Sequence, residues 1–353
     1  MVEEEKRKEE PMGEAKELSP EEEIEKLKQM LAERDQEIER LETQNFKLRF
    51  DELTSLEMRR SYYQRVNSGI EQLIEDKATG IGEMLEKDEL TAADMEKMKD
   101  LPFTLAAADL AYLSKYNNDP DIQTATGGEH TGGDMILSET AKIIQDVDPT
   151  KREISPKLNL KARGYRVGGD EFALLIELPP EEAENIANEF KIKQNSIEVP
   201  GADLPPMMNI DTAHVSEGVN AFVRVFEKAD RLEMTPEEQA KKIQDLTTRI
   251  ADRRAMVQKG RERIAMLVDI LETDEQKFDK NFTWMKKGAF GLEKEFYADL
   301  IQKKNAAPAE FNNLVNEIVQ QQLKEQKERA MQQEAKEYQA VIEIADAKFT
   351  KAA

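Results

Sequence analysis

With 73 acidic and 51 basic residues among 353, the chain carries a net charge of −22, and such a surface repels nucleic acid. It has no cysteine, which excludes a disulfide framework and a thiolate metal site and fits a reducing compartment such as the cytoplasm. No apolar run approaches the roughly 20 residues that span a bilayer, and the Glu- and Lys-rich start does not read as a secretory signal, so no membrane association is expected. The length allows one domain of ordinary size with extended helical parts added.

Residues 1–20 are charged and broken by Pro11 and Gly13, the composition of a disordered acidic tail. Over 21–50 the apolar spacing changes. Ile24, Leu27, Leu31, Ile38, Leu41 and Leu48 fall on the a and d positions of one heptad frame, interrupted by Arg34 and Asn45. An amphipathic helix folded onto its own domain would also be apolar on one side, but the narrow seam and dense charge favour a parallel coiled-coil dimer. A domain is expected over 51–233. Its first helix covers 59–77, two short helical stretches fill 79–100, and an apolar strand runs from Phe103 to Leu110. A loop lengthened around 119–128 follows, then a helix from Gly133-Asp134, a hairpin over 164–177, a strand from Met207 to Val215 and a short helix from Ala229.

The remaining residues, 234–353, read as all-helical. Thr235-Pro236-Glu237-Glu238 is a helix start with a Thr cap, Pro at the first helical position and acids in the first turn. That helix extends to about Leu271, and others run over about 274–304 and 308–346 with a break at Ala306-Ala307-Pro308. Phe282, Trp284, Phe290, Phe296 and Tyr297 suggest a small core there. No catalytic motif stands in this part, and a helical hairpin or an appendage for a partner protein is the expectation.

The most informative stretch is Gly-Tyr-Arg-Val-Gly-Gly-Asp-Glu-Phe-Ala-Leu-Leu-Ile-Glu, residues 164–177. It reads as strand, tight turn, strand, with Gly168 and Gly169 suited to the positive φ angles of a two-residue hairpin. Lacking Cβ atoms, they let a bulky anion approach the backbone. Asp170 and Glu171 sit at the rim, where carboxylates can hold a divalent ion against phosphates. A bare Gly-Gly-Asp-Glu is an ordinary hairpin more often than a site, but followed by Phe172 and a buried strand it resembles the GGDEF domain of diguanylate cyclases. That family opens with Asp-x-Leu-Thr-Gly-Leu-x-Asn-Arg. Here residues 51–60 read Asp-Glu-Leu-Thr-Ser-Leu-Glu-Met-Arg-Arg, with Ser55 and Met58 departing from the pattern. The strand ending at Asp109-Leu110, then Asn117, Gly133-Asp134 and Ala229-Asp230 continue the likeness in order, over about residues 50–233.

The resemblance implies an α+β sandwich, a sheet flanked by helices. It also implies a diguanylate cyclase of bacterial signalling, which condenses two GTP into cyclic di-GMP and releases pyrophosphate with Mg²⁺. By the same resemblance Asp109, Asp170 and the Leu110 carbonyl ligate metal, and Glu171 is a further ligand or helps deprotonate the hydroxyl. Asn117 and Asp134 read guanine, Gly168 and Gly169 line the nucleotide, and Lys115 stands beside Ser114 where the family places a phosphate-binding Lys. Ala111 replaces a second Asp of the family. Glu237 and Glu238 lie where its last basic residues are found, so any compensating Lys is expected from the insertions. These losses support a second reading, a degenerate domain that binds GTP or acts as a scaffold. Where relatives carry Arg-x-x-Asp for product inhibition, this chain has Asn159-Leu160-Lys161-Ala162. His130 matches a frequent family His, and His214 is expected to be packed. The partners implied are GTP, a second copy through the coiled coil and a protein met by the C-terminal helices.

Overall fold

The structure is a computed structural model that describes residues 28–31, 33–34, 36–38, 40–41, 44, 47, 49–147, 162–286, 294–328 and 335–350. The chain divides into two units at Leu48 and Arg49. In the first unit the described residues are helical, and Leu31, Ile38 and Leu41 are 61%, 48% and 50% exposed. The tail 1–20 and the seam residues Ile24, Leu27, Asn45 and Leu48 lie outside the described residues.

The second unit is built on five strands: β1 (Glu57–Met58), β2 (Thr104–Leu110), β3 (Ala162–Arg166), β4 (Glu171–Ile176) and β5 (Met208–His214). Their order is β1-β3-β4-β2-β5, with β1 parallel to β3 and the other pairs antiparallel. β2 lies between β4 and β5 with both faces covered, so side chains in both of its alternate rows are mostly small and apolar. Leu105 and Ala107 pack with Ala173, Leu175 and Ala213 in one cluster, while Ala106, Ala108 and Leu110 join Phe172, Leu174, Met208 and Ile210 in the other.

On the first face lie α1 (Arg59–Glu75), α2 (Ile81–Leu85), α3 (Ala92–Met98) and α8 (Val215–Val225). The stretches over 79–100 are therefore structural, supplying Ile81, Met84, Leu85 and Met98 to that core. On the second face lie α4 (Leu113–Asn118), α5 (Pro120–Thr126), α6 (Thr131–Val147) and α7 (Pro180–Asn195). This is the α+β sandwich that the motifs implied. α9 (Lys228–Glu233) then leads to α10 (Pro236–Thr273), which starts with the expected Thr235 cap and Pro236, and there Thr235 and Glu238 form a capping box.

α10 corrects the expectation of an appendage. Its Ile243, Leu246, Ile250, Ala251 and Ala255 complete the core on the first face, and Val257, Ile264, Leu267 and Val268 belong to the core on the second. Burial of that many aliphatic side chains makes the helix part of the domain's own interior. α11 (Glu275–Lys286), α12 (Lys294–Ala306), α13 (Pro308–Glu328) and α14 (Ala335–Thr350) pack around it. The aromatic core expected there forms around Phe278, Phe282, Phe296 and Tyr297. The Trp284 side chain and Phe290 lie outside the described residues. Among the described residues, no helix is long and apolar enough to cross a membrane.

Candidate functional site

The hairpin joins β3 and β4, but not through a two-residue turn. Strand pairing ends at Arg166 and resumes at Glu171, Val167 and Gly168 both donate to the Glu171 carbonyl at 2.9 and 3.2 Å, and neither Gly168 nor Gly169 has a positive φ. The reason is Arg166. Its Nε donates to the Gly168 carbonyl at 3.3 Å, one Nη to the Gly169 carbonyl at 2.8 Å and the other to Asp51 Oδ1 at 2.8 Å. A wider turn lets both carbonyls face the guanidinium. A Cβ at Gly168 would meet the Glu171 side chain, which is exposed and can move aside, whereas Gly169 faces open space. Asp51 Oδ1 also accepts from the Thr54 amide at 2.8 Å and its hydroxyl at 2.7 Å. Burial raises the Asp51 pKa, but the bonds from Thr54 and Arg166 outweigh it and hold the carboxyl below its ordinary range. The Asp-x-Leu-Thr motif thus works as a clamp on the hairpin.

The rim residues do come together. Asp109 of β2 lies opposite Glu171 of β4, and the Leu110 amide donates to the Asp170 carbonyl at 3.0 Å. Asp109 is not open to an ion, however, because Lys259 of α10 places its Nζ on Asp109 Oδ1. Burial raises the Asp109 pKa, Lys259 pulls it back, and Asp170 adds a further upward push. A cavity of about 200 Å³ opens beside this pair, lined by Asp109, Glu171, Tyr62, Asp252 and Lys259. Oxygen donors suited to Mg²⁺ are present, yet Asp109 is committed to an ammonium group. Among the described residues no three His, Cys, Asp or Glu side chains gather to hold a metal ion. As arranged, the residues do not fit a two-metal site.

The residues matched to guanine reading form a separate corner. Asn117, near the end of α4, has a buried Oδ1 without a hydrogen-bond partner. A Cβ at Gly133 would overlap the Asn117 amide, and one at Gly132 would meet the Tyr116 carbonyl and the Ile122 side chain. The Gly-Gly opening of α6 is what allows α4 to approach so closely. Asp134 follows in the first turn of α6, exposed, and its amide donates to the His130 carbonyl at 2.9 Å. His130 is exposed, with φ +64°, at the entry to that helix.

Lys115 is not on this rim. Its side chain is 2% exposed, forms an ion pair with Asp203 and donates to Asn281 Oδ1 at 2.6 Å, while Asn281 donates to the other Asp203 oxygen at 2.8 Å. A lysine so enclosed must be paired, and here it ties α4 to α11 instead of facing phosphate. His214 is packed, as expected. Lys161 and its neighbours 159–160 lie outside the described residues.

Sequence reasoning missed Lys259 and Arg263, whose guanidinium lies 4.7 Å from the Tyr112 ring centre. The signal was present as the run Lys259-Gly260-Arg261-Glu262-Arg263, but the same helix also carries Lys241, Lys242, Arg249, Arg253 and Arg254, so charge alone does not single it out.

No family model matches the chain, and no curated protein matches it. Similar solved structures are the coiled coil and GGDEF domain of DgcB from Caulobacter crescentus in complex with c-di-GMP (15% identity, 65% of this chain and 92% of that chain, TM-score 0.39). Others are the diguanylate cyclase SiaD with its activator SiaC from Pseudomonas aeruginosa (16%, 54% and 61%, 0.31) and the FimX GGDEF domain from the same organism (16%, 56% and 94%, 0.32).

Proposed function

We propose that this chain is a GGDEF-type signalling domain that binds a guanine nucleotide through Asn117 and Asp134. The supporting observation is that Asn117 packs against Gly133, the residue before Asp134, so the two side chains matched to guanine start from one corner where α4 meets α6. Guanine offers two N–H groups on one edge, which suit an amide oxygen and a carboxylate side by side, whereas adenine does not reproduce that edge. Titration calorimetry with guanosine and GTP tests this. Binding should weaken by at least about tenfold in Asn117→Ala, and adenosine should not bind. Equal affinity for guanosine and adenosine would end the proposal.

A second reading is the diguanylate cyclase itself, acting on two GTP with Mg²⁺ in a homodimer formed through the coiled coil. It is favoured by Asp109, Glu171 and Asp170 converging on one rim. It requires Lys259 to leave Asp109, and cyclic di-GMP formed from GTP and Mg²⁺, absent in Asp170→Ala, is its test.

A further inference from the structure

We infer that Lys259 is the resident counter-cation of this rim. It stands against Asp109 where a divalent ion stands in a two-metal nucleotidyl-transfer site, so that nucleotide is held without metal. The inference about nucleotide rests on the guanine-binding reading above; the inference about metal does not. Lys259 is not a wandering surface side chain. It projects from the segment of α10 fixed by buried Ala251, Ala255 and Val257 before it and Ile264 and Leu267 after it, so its Cα is held by both cores. Its side chain is 24% exposed and that of Asp109 29%, so the pair is partly shielded from water and its attraction is less screened than on an open surface. Arg263, one turn further along α10, sets a second positive group on the Tyr112 ring at the end of β2. An incoming dication would meet an ammonium on Asp109 Oδ1 and a guanidinium nearby, so the remaining carboxylates, Asp170, Glu171 and Asp252, could hold it only against that positive charge. Lys259 supplies on this rim a positive charge of the kind absent at Ser114 and at Glu237 and Glu238.

The full chain is titrated with Mn²⁺ while the free ion is followed by electron paramagnetic resonance. The wild type is expected to bind no Mn²⁺ that Asp109→Asn abolishes. Lys259→Met, which keeps the stem and removes the charge, should gain a site that Asp109→Asn in the same chain abolishes. GDP affinity should be unchanged between EDTA and Mg²⁺ in the wild type. Mn²⁺ bound by the wild type and lost in Asp109→Asn overturns the inference, as does a gain of about tenfold in GDP affinity with Mg²⁺. The wild-type titrations decide the matter even if Lys259→Met does not fold. Guanosine, which carries no phosphate, separates the outcomes, since its failure to bind counts against the guanine corner alone.

Discussion

Lys259 Nζ rests on Asp109 Oδ1 across 150 residues of sequence, joining α10 to the rim of β2. The two charges are partly shielded, so removing one leaves the other poorly solvated. Asp109→Asn and Lys259→Met should each destabilise the fold, and the double variant should recover about 1 kcal/mol relative to their sum. A double-mutant cycle by urea unfolding measures this coupling, and additive effects would show that the pair is not formed in solution.

Lys115 is a stronger structural tie, because it is enclosed and shares Asp203 with Asn281. Lys115→Met leaves Asp203 half-buried without its cation and should cost about 3–5 kcal/mol. Asp203→Asn combined with Lys115→Met should be milder than Lys115→Met alone. GDP affinity of the folded fraction should not change. A loss of nucleotide affinity with unaltered stability would return Lys115 to the phosphate site.

Ser55 departs from a family Gly, and its φ of +55° shows why Gly belongs there. A left-handed conformation costs a residue with a Cβ about 1–2 kcal/mol, partly offset by the greater freedom Gly loses on folding. Ser55→Gly should therefore raise the unfolding midpoint, by about 0.5–1 kcal/mol in stability. Ser55→Val should lower it. Because Asp51, four residues earlier, clamps Arg166 and the hairpin, the same substitution should leave the rim geometry and guanosine binding intact.

Much of this architecture was legible, and what was not has physical reasons. The strand ending at Asp109, the Thr235 cap and the break at Pro308 are local signals, decided by neighbours in sequence. The turn at Gly168 and Gly169 was misread because glycine permits every φ, so the pair cannot choose between turns; Arg166 chooses, through side-chain bonds to both carbonyls. Lys115 looked like a surface cation because its burial depends on Asp203 and Asn281, 88 and 166 residues away. The helical period of α10 marks an apolar face but not the sheet it will cover. The place of Lys259 follows only once that docking is known.

His214 offers a test by pH. Its Nδ1 accepts from the Ser216 amide at 3.3 Å and pairs with the Ser216 hydroxyl at 2.7 Å at the start of α8, and its Nε2 meets the Leu101 carbonyl at 2.7 Å. Burial lowers its pKa, against opposing pulls from the Leu101 carbonyl and Glu217. The folded state thus binds fewer protons than the unfolded state below the ordinary histidine pKa of about 6.5, so this contribution is fully present above that pH and is lost as pH falls below it. The unfolding midpoint should drop more between about pH 7 and pH 5.5 in the wild type than in His214→Asn, which cannot titrate. Equal drops would show that the imidazole is already free to charge.

The heptad seam of the first unit carries the last prediction. Leu31, Ile38 and Leu41 are about half exposed or more, and water-facing aliphatic groups at a and d spacing are what a second copy would cover. A parallel dimer would also bring two nucleotide-holding domains to an effective concentration on the order of millimolar, which a reaction joining two GTP would need. The seam spans only 21–50, with Arg34 and Asn45 at core positions, so a dissociating dimer is expected and not a permanent one. Leu31→Lys with Ile38→Lys places charges in the seam and should shift the chain to monomer in analytical ultracentrifugation. Guanosine binding, a property of the single domain, should be unaffected. A monomer for the unmodified chain at high concentration, or a dimer that survives both lysines, would place the self-association elsewhere or remove it.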